Sequence, residues 1–303
     1  MARRDGSGVR GLVALAGGAG LVRAREPTGK VWLVGAGPGD PELLTLKAAR
    51  VLASADVLVH DRLVSAEIIA LAPASARRLY VGKRKFNHSL PQDDVNDLLV
   101  ALAREGLTVV RLKGGDPFMF GRGGEEMLAC HAAGVACEVV PGISAGFAAS
   151  ASVGAPLTHR GLAQAVTFVT GHAAIDGEGG VKEPDLDWAA LAKANHTVVV
   201  YMGVSTAPMI ASRLIAAGRA GATPVVVVEN ASRGEERRVL ATLGTLPDAV
   251  SGLEGPAVLI IGEVAAMTDI SAHPRESGGR GPDSQMQRLD LGPRFRGDER
   301  VKG

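Results

Sequence analysis

The feature of this 303-residue chain that most constrains its fold is a repeated alternation of short apolar runs and amphipathic helical patterns. Such alternation is typical of parallel strands joined by crossover helices, and it predicts an α/β protein. The apolar runs predict strands at 31–34, 57–59, 78–81, 107–110, 137–140, 165–170, 197–201, 224–228, 237–242 and 257–261. The helical patterns predict helices at 45–53, 67–71, 93–105, 125–133, 146–152 and 207–217.

The predicted strands fall into two groups on either side of the sequence PGISA at 141–145. We therefore expect an N-terminal α/β domain over 29–145 and a C-terminal α/β domain over 146–270, with the strand at 237–242 a candidate for an antiparallel one. Segments 1–28 and 271–303 lack hydrophobic periodicity, and we predict a disordered extension and a disordered tail there.

Composition excludes several classes of protein. The formal charge is only +1 and its arginine excess lies in the two ends, so the centre lacks the basic footprint of a nucleic-acid-binding protein. No apolar run is long enough for a transmembrane helix. Cys130, His131 and Cys137 do not complete a zinc set, and we expect reduced thiols in helix and strand, no metal and a cytoplasmic location.

The densest group of glycines and charges is the sequence RLKGGDPFMFGRGGEE at 111–126. It follows a predicted strand and precedes a predicted helix, at the strand end where α/β sheets bind ligands. Its glycines allow a ligand to approach the backbone closely, and they alternate with groups that bind or transfer charge: Lys113, Asp116, Arg122, Glu125 and Glu126. The stretch therefore predicts a binding loop rather than a plain connection.

Other predicted strand ends also carry ionisable residues, at Asp61, Arg62, Lys83, His172 and Glu229. In parallel sheets these would gather on one rim, whose arginines and lysines suit a substrate with several carboxylates or phosphates.

The glycine loop GAGPGD at 35–40 leaves a second interpretation open, a dinucleotide-binding oxidoreductase. Asp61 lies near the position expected for a ribose-binding acid. The glycine spacing departs from G-x-G-x-x-G, however, and Pro38 and Pro41 stiffen a turn that should continue into a helix.

Residues 30–264 closely resemble the uroporphyrinogen-III C-methyltransferases, tetrapyrrole methylases that use S-adenosylmethionine (SAM). The segments that carry the resemblance occur in the family's order: GAGPGDPELLTLKA (35–48), DRLVS (61–65), VGKR (81–84), RLKGGDPFMFGRGGEE (111–126), VVPGIS (139–144), PLTHRG (156–161), FVTGH (168–172), YMG (201–203), VENA (228–231) and LIIGEV (259–264).

The resemblance implies two α/β domains with the SAM site in the cleft between them, unlike Rossmann-type methyltransferases, and a homodimer. It implies methylation of uroporphyrinogen III at C2 and C7, giving precorrin-2 through precorrin-1 for sirohaem, cobalamin or haem d1 synthesis. The positions that match SAM contacts in related enzymes are Pro38, Gly114, Gly115, Asp116, Met119, Ser144, Ala145, Met202, Ala231 and Ala257.

For catalysis, the resemblance implies a proton acceptor at Asp61 and a proton donor at Lys83. Arg122 and Glu125 match residues implicated in proton removal in a close relative. The implied residues around the tetrapyrrole are Arg62, Arg160 and His172.

Ser144 and Ala145 stand where Thr and Ser are commoner in the family, which removes one hydroxyl from the expected cofactor pocket. Two further alternatives stay open: a methylase acting later, on a precorrin, and a non-catalytic SAM- or tetrapyrrole-binding regulator. The first usually lacks the full 111–126 sequence, and the retained Asp61, Lys83, Arg122 and Glu125 argue against the second.

Overall fold

The computed structural model describes residues 12–13, 22–23, 29–82, 91–172, 174–175 and 181–268. The strands are, in chain order, β1 (Leu12–Val13), β2 (Val22–Arg23), β3 (Lys30–Gly35), β4 (Val57–His60), β5 (Arg77–Tyr80), β6 (Thr108–Lys113), β7 (Ala136–Val140), β8 (Ala165–Thr170), β9 (Ala174–Ile175), β10 (Val181–Lys182), β11 (His196–Tyr201), β12 (Pro224–Glu229), β13 (Arg237–Thr242) and β14 (Ala257–Ile261). The α-helices are α1 (Leu46–Leu52), α2 (Ala66–Ala70), α3 (Gln92–Arg104), α4 (Gly123–Ala132), α5 (Ala145–Ser152), α6 (Trp188–Leu191), α7 (Ala207–Ala216) and α8 (Leu246–Ala249). Single 3-10 turns lie at Pro41–Leu43 and Glu263–Met267.

The first sheet has the strand order β5-β4-β6-β3-β7, and all its pairings are parallel, as predicted. Its central strands are aliphatic because helices cover both faces. Val31 and Leu33 pack with residues of α3 and α4, whereas Leu58 and Leu112 pack on the other face, with residues of α1 and α2. The loops after β3, β4, β6 and β7 therefore meet at one edge, the first rim (residues 36–45, 61–65, 114–122 and 141–144).

The second sheet has the order β13-β12-β14-β11-β8 and is mixed. β8, β11 and β12 run in one direction, and β13 is antiparallel, in line with the candidate noted above. The expectation of parallel strands is wrong for β14, which runs antiparallel to both its neighbours. All five residues of β14 are buried, and such an apolar run has no pattern that encodes strand direction.

The reversed direction of β14 has a useful consequence for the site. Its first residue, Ala257, pairs with Glu229 at the end of β12. The start of β14 therefore lies beside the ends of β8, β11 and β12, and together they form the second rim (residues 171–172, 202–206, 230–236 and 254–257).

Helix α5, which follows the first sheet and precedes the second in the sequence, packs on the second sheet. There Ala149 and Val153 belong to one core cluster with residues such as Val199 and Ile260. This packing supports our proposal that the C-terminal domain starts near residue 146.

The predicted strands and helices of the core are confirmed, and β6 differs most from its prediction. It continues through Arg111 and Lys113, so the binding loop starts only at Gly114. The short helices α6 and α8 were not predicted. Cys130 in α4 and Cys137 in β7 are free thiols, as expected.

Some predictions lie wholly or partly outside the described residues. Within the segment 1–28, only the two-residue strands β1 and β2 are described, and they pair in an antiparallel manner. The tail from residue 269 onward is not described, and neither is Lys83. No helix in the described ranges combines the length and apolar character that spanning a membrane requires.

Candidate active site

The loops after the neighbouring strands β3 and β6 are joined through their glycines. Gly37 and Gly115 exchange backbone hydrogen bonds of 3.1 and 2.7 Å, and Ala36 N donates to Lys113 O at 2.8 Å. Both glycines have a left-handed backbone, with φ of +67° and +70°, which other residues rarely adopt. The two glycine sequences of the first rim thus form one continuous backbone surface.

Asp116 ties this surface to the loop after β7. Its Oδ1 accepts a hydrogen bond from Phe118 N at 2.8 Å, and its Oδ2 accepts one from Gly142 N at 3.0 Å. A Cβ on Gly142 would lie only 2.3 Å from Gly115 O, so the loops pack too closely for a side chain there. Three neighbouring loops of the first rim are therefore held in one arrangement.

Tyr201, at the end of β11, connects the second sheet to this arrangement. Its hydroxyl accepts a hydrogen bond from Gly146 N and shares another with Ser144 Oγ, both at 2.7 Å. Its ring lies 5.1 Å from that of Phe120 in the loop after β6. Burial raises the pKa of Tyr201, so its hydroxyl stays protonated at neutral pH.

Arg233, in the loop after β12, makes a second connection between the rims. Its Nε donates to Pro38 O at 3.1 Å and its Nη2 donates to Leu63 O at 2.5 Å. A Cβ on Gly39 would lie 2.7 Å from the Arg233 side chain, so a larger residue at position 39 would force the arginine to shift. The two rims consequently face each other across a bridged cleft.

The rims also hold most of the strained backbone. Six non-glycine residues of the described part have a positive φ, and five of them lie in these loops: Phe120, Arg122, Met202, Asn230 and Ser232. Such conformations are unfavourable and are common at ligand sites.

All ten residues predicted to contact SAM lie on or beside the two rims. Pro38, Gly114, Gly115, Asp116 and Met119 belong to the first, whereas Met202, Ala231 and Ala257 belong to the second. Ser144 and Ala145 lie where the chain passes from the first rim into α5.

Asp61, the predicted proton acceptor, is fixed from two sides. Its Oδ1 accepts a hydrogen bond from Leu63 N at 3.0 Å, and its Oδ2 lies 3.3 Å from Arg111 Nη2. Arg111 Nε and Lys113 Nζ both donate to Glu126 Oε1, at 3.1 and 3.0 Å. We call these four side chains the buried charge cluster, because only Asp61 is appreciably exposed. Burial lowers the pKa of the Lys113 ammonium.

Arg122 and Glu125 form a separate ion pair at the start of α4. Two hydrogen bonds of 2.7 and 2.8 Å join them, as their spacing allows on a helix. Both side chains are more than half exposed. The hydrogen bond from Arg122 lowers the pKa of Glu125, so this exposed carboxylate is ionised at neutral pH.

The predicted substrate residues Arg62, Arg160 and His172 all have exposed side chains. Arg62 is next to Asp61 on the first rim, and His172 follows β8 on the second. Arg160 lies between α5 and β8, in an open depression of about 370 Å³ lined also by Thr158, His159, Ala163 and Gln164. No contact among the described residues joins these three side chains directly.

Sequence reasoning missed Arg111, Tyr201 and Arg233 as residues of the site, and it named Glu126 only as one of the charged groups of the binding loop. A signal existed for the pairing of Arg111 with Glu126. Arg111 and Lys113 are two apart in a strand, so they share a face, and two cations buried together require a carboxylate. Nothing in the sequence indicated which carbonyls Arg233 would reach.

The dinucleotide interpretation loses its structural basis. The glycine loop after β3 leads into a 3-10 turn, where Asp40 accepts a hydrogen bond from Glu42 N, and α1 begins only at Leu46. No helix N-terminus therefore follows the glycines as a dinucleotide site requires. Within the described ranges, no group of three His, Cys, Asp or Glu side chains could hold a metal ion.

Comparison with known proteins agrees with this architecture. A family model described as Tetrapyrrole (Corrin/Porphyrin) Methylases matches residues 30–247. The uroporphyrinogen-III C-methyltransferase of Paracoccus denitrificans is 49% identical over 269 residues, which cover 88% of this chain and 92% of that protein. The chain belongs to the tetrapyrrole methylase family.

Two further relatives define its relation to larger proteins and to solved structures. The siroheme synthase of Chromobacterium violaceum is 51% identical over 80% of this chain, but the match spans about half (51%) of that protein's length. The crystal structure of the Thermus thermophilus uroporphyrin-III C-methyl transferase complexed with S-adenyl homocysteine has a TM-score of 0.66 and 45% identity, covering 78% of this chain and 93% of that one. The α/β fold predicted from the family resemblance is confirmed.

Proposed function

We propose that this chain methylates uroporphyrinogen III at C2 and then C7 with methyl groups from SAM, giving precorrin-2 through precorrin-1. The observation that carries the proposal is the cleft between the rims, where a glycine backbone surface lies beside a positioned carboxylate and exposed cations. The near full-length similarity to the Paracoccus uroporphyrinogen-III C-methyltransferase supports the choice of substrate.

The residues of the cleft fit SAM. The Gly114–Gly115 backbone faces the start of α5, where a Cβ on Gly115 would have ordinary contacts of 3.7 Å with Ala145 N and 3.8 Å with Ser144 Cα. Met202 is exposed on the opposite rim and offers an apolar surface to an adenosine group. When bound, SAM supplies an electrophilic methyl group on a sulfonium. The protein would supply position, which is worth much of the rate in a displacement by a weak carbon nucleophile.

The exposed cations suit the tetrapyrrole. Arg62, Arg160 and His172 can bind the carboxylates around the macrocycle, and arginine is well shaped for this task. In the transfer, the bond from sulfur to the methyl carbon breaks and a bond to the pyrrole carbon forms. The ring becomes cationic and loses a proton to a carboxylate, a role we assign to Asp61, with Lys83 as proton donor and Arg122 and Glu125 assisting.

Methyl transfer under anaerobic conditions tests the proposal directly. Purified protein is incubated with uroporphyrinogen III and SAM labelled in its methyl group, and the tetrapyrrole is analysed for label and position. Precorrin-2 serves as the competing acceptor, since a later methylase would prefer it. Label absent from uroporphyrinogen III would contradict the proposal.

The proposal includes a homodimer in the cytoplasm that supplies precorrin-2 to sirohaem, cobalamin or haem d1 synthesis. Light scattering of the purified protein tests the oligomeric state. Restoration of sirohaem-dependent growth in a strain lacking this methylation tests the supply of product.

A further inference from the structure

The buried charge cluster contains an arginine whose every nitrogen has a partner. Arg111 Nε donates to Glu126 Oε1 at 3.1 Å, and Nη1 donates to the carbonyl of Leu112 at 3.2 Å. Nη2 donates to Asp61 Oδ2 at 3.3 Å. Glu126 and the Leu112 carbonyl therefore fix the guanidinium in the core. Its third nitrogen, Nη2, binds Asp61, which is the partly exposed member of the cluster.

Glu126 is fully buried, and its two oxygens are used unequally. Oε1 accepts from Arg111, from Lys113 and, at 3.3 Å, from Gln92 Nε2. Oε2 is buried and has no hydrogen-bond partner among the residues that the structure describes. A network evolved for stability alone would be better served by apolar residues, since buried ion pairs are weak contributors to stability. The arrangement instead maintains a buried cation behind Asp61.

Asp61 is held in one orientation as a result. Within the described part of the chain, each of its oxygens has one fixed donor, Leu63 N for Oδ1 and Arg111 Nη2 for Oδ2. A carboxylate oxygen has two lone pairs, so each oxygen keeps one free to accept a proton. The turn that supplies Leu63 N is itself fixed, because Leu63 O accepts from Arg233.

We infer that Arg111 is a positioning residue that orients the Asp61 carboxylate for proton removal, and that Glu126 holds Arg111 in place. The inference rests on the proposed methyl transfer and adds to it an answer to which carboxylate takes the proton. Asp61 is anchored from the core, whereas Glu125 is more than half exposed and pairs with Arg122, which is exposed as well.

The first test replaces Arg111 with lysine. Lysine keeps the positive charge but lacks the fork, so it can reach Glu126 or Asp61 and not both. Arg219→Lys is the matched control, because Arg219 is equally buried and holds the carbonyls of Leu191 and His196 at the far end of the second sheet.

For Arg111→Lys we expect a kcat about 10- to 100-fold below that of wild type, the usual scale for a misplaced catalytic group. The KM for uroporphyrinogen III and the Kd for S-adenosylhomocysteine should stay within about twofold, and the melting temperature should match that of Arg219→Lys. A kcat loss no greater than in Arg219→Lys, or a change mainly in KM or Kd, would overturn the inference.

The second test is a double-mutant cycle with Asp61→Asn. If Arg111 acts through Asp61, adding Arg111→Lys to Asp61→Asn lowers kcat no further, whereas independent roles would give multiplying losses. If Asp61→Asn leaves no measurable transfer, the comparison of kcat and KM for the single variants decides.

Glu126→Gln keeps a neutral acceptor near Arg111 and provides a second variant. It should reduce kcat in the same direction as Arg111→Lys, and a wild-type kcat would overturn the role of Glu126. Loss of the native fold in both variants would mark the cluster as structural and also overturn the inference. Failure of the wild-type protein to label uroporphyrinogen III would instead contradict the proposed function itself.

Discussion

Glu125 and Glu126 are neighbours in the sequence, yet they belong to two different kinds of charge cluster. Glu125 pairs with Arg122 in solvent, whereas Glu126 is fully buried and binds Arg111 and Lys113. Consecutive residues of an α-helix point about 100° apart, so Glu125 faces solvent and Glu126 faces the first sheet. Two identical side chains therefore have different environments, an exposed ion pair for Glu125 and a buried network for Glu126, because they lie on different faces of the same helix.

The difference bears on which carboxylate does chemistry. The exposed pair can rearrange freely when a substrate with its own carboxylates arrives. The buried charge cluster cannot rearrange in this way, because Arg111, Lys113 and Glu126 are shielded from water. Their fixed geometry therefore holds the Asp61 carboxylate in one orientation. Substitutions in the buried charge cluster and in the exposed pair should therefore differ in the size and the kind of their effects.

The largest effect should come from Asp61→Asn. Loss of a general base typically lowers turnover about 10²- to 10⁴-fold, while the binding of S-adenosylhomocysteine should be retained. Initial rates and calorimetric titration measure the two quantities. Asp56→Asn is the control, because Asp56 and Asp61 flank β4 at its start and its end. The Asp56 carboxylate is also hydrogen-bonded, since its Oδ2 accepts from Thr108 N at 2.8 Å. Equal losses in the two variants would argue against a special role for Asp61.

Glu126→Leu should have the largest effect on stability. It removes the carboxylate that the buried cations Arg111 and Lys113 share, and breaking a buried ion pair in this way typically destabilises a protein by about 3–5 kcal/mol. Urea unfolding with and without S-adenosylhomocysteine measures the change in the free energy of unfolding. Glu126→Gln should be milder, and a loss below about 1 kcal/mol for Glu126→Leu would contradict the burial of this network.

These two predictions also mark how far the sequence could lead. The alternation of apolar and helical patterns was sufficient for the core elements, and strand ends correctly indicated where Asp61 and the glycine loops would lie. The direction of β14 could not be predicted, because the apolar sequence of a strand that is buried on both faces does not indicate which way the strand runs. The burial of Glu126 was also missed, because a glutamate is rarely fully buried and this one directly follows the exposed Glu125.

Long-range contacts were the other limit. Arg233 is 195 residues from Pro38 and 170 from Leu63, and it binds their carbonyl oxygens. Backbone acceptors leave no mark on the side chains that a sequence displays. The pairing of the rims could therefore be inferred only from the family resemblance, and the bridging residue only from the structure.

Arg233→Leu should have an intermediate effect, directed at the cleft. Hydrogen bonds from a charged group contribute about 1.5–3 kcal/mol when buried, and partial exposure of Arg233 reduces this, so we expect an affinity for S-adenosylhomocysteine about tenfold lower. Calorimetric titration measures it. Arg213→Leu is the control, because Arg213, which lies on α7, pairs with the exposed Glu183. Unchanged affinity in Arg233→Leu would show that the bridge does not hold the cleft.

The smallest effect on stability should come from Glu125→Gln and Arg122→Lys. Both groups are exposed, so the free energy of unfolding by urea at pH 7 should fall only slightly below that of wild type, while kcat falls and the Kd for S-adenosylhomocysteine is retained. Because Arg122 lowers the pKa of Glu125 below its ordinary 4.5, any contribution of the pair is complete above that pH.

This contribution disappears as pH falls through the lowered pKa, so the small difference between wild type and Glu125→Gln can only shrink on acidification. Unfolding midpoints at pH 7 and below pH 4 measure it. A difference in stability that grew at low pH would contradict the exposed ion pair. A variant that mainly lost S-adenosylhomocysteine binding would mean that Glu125 belongs to the cofactor side of the cleft. The two clusters would then not divide into a positioned base and a solvated pair.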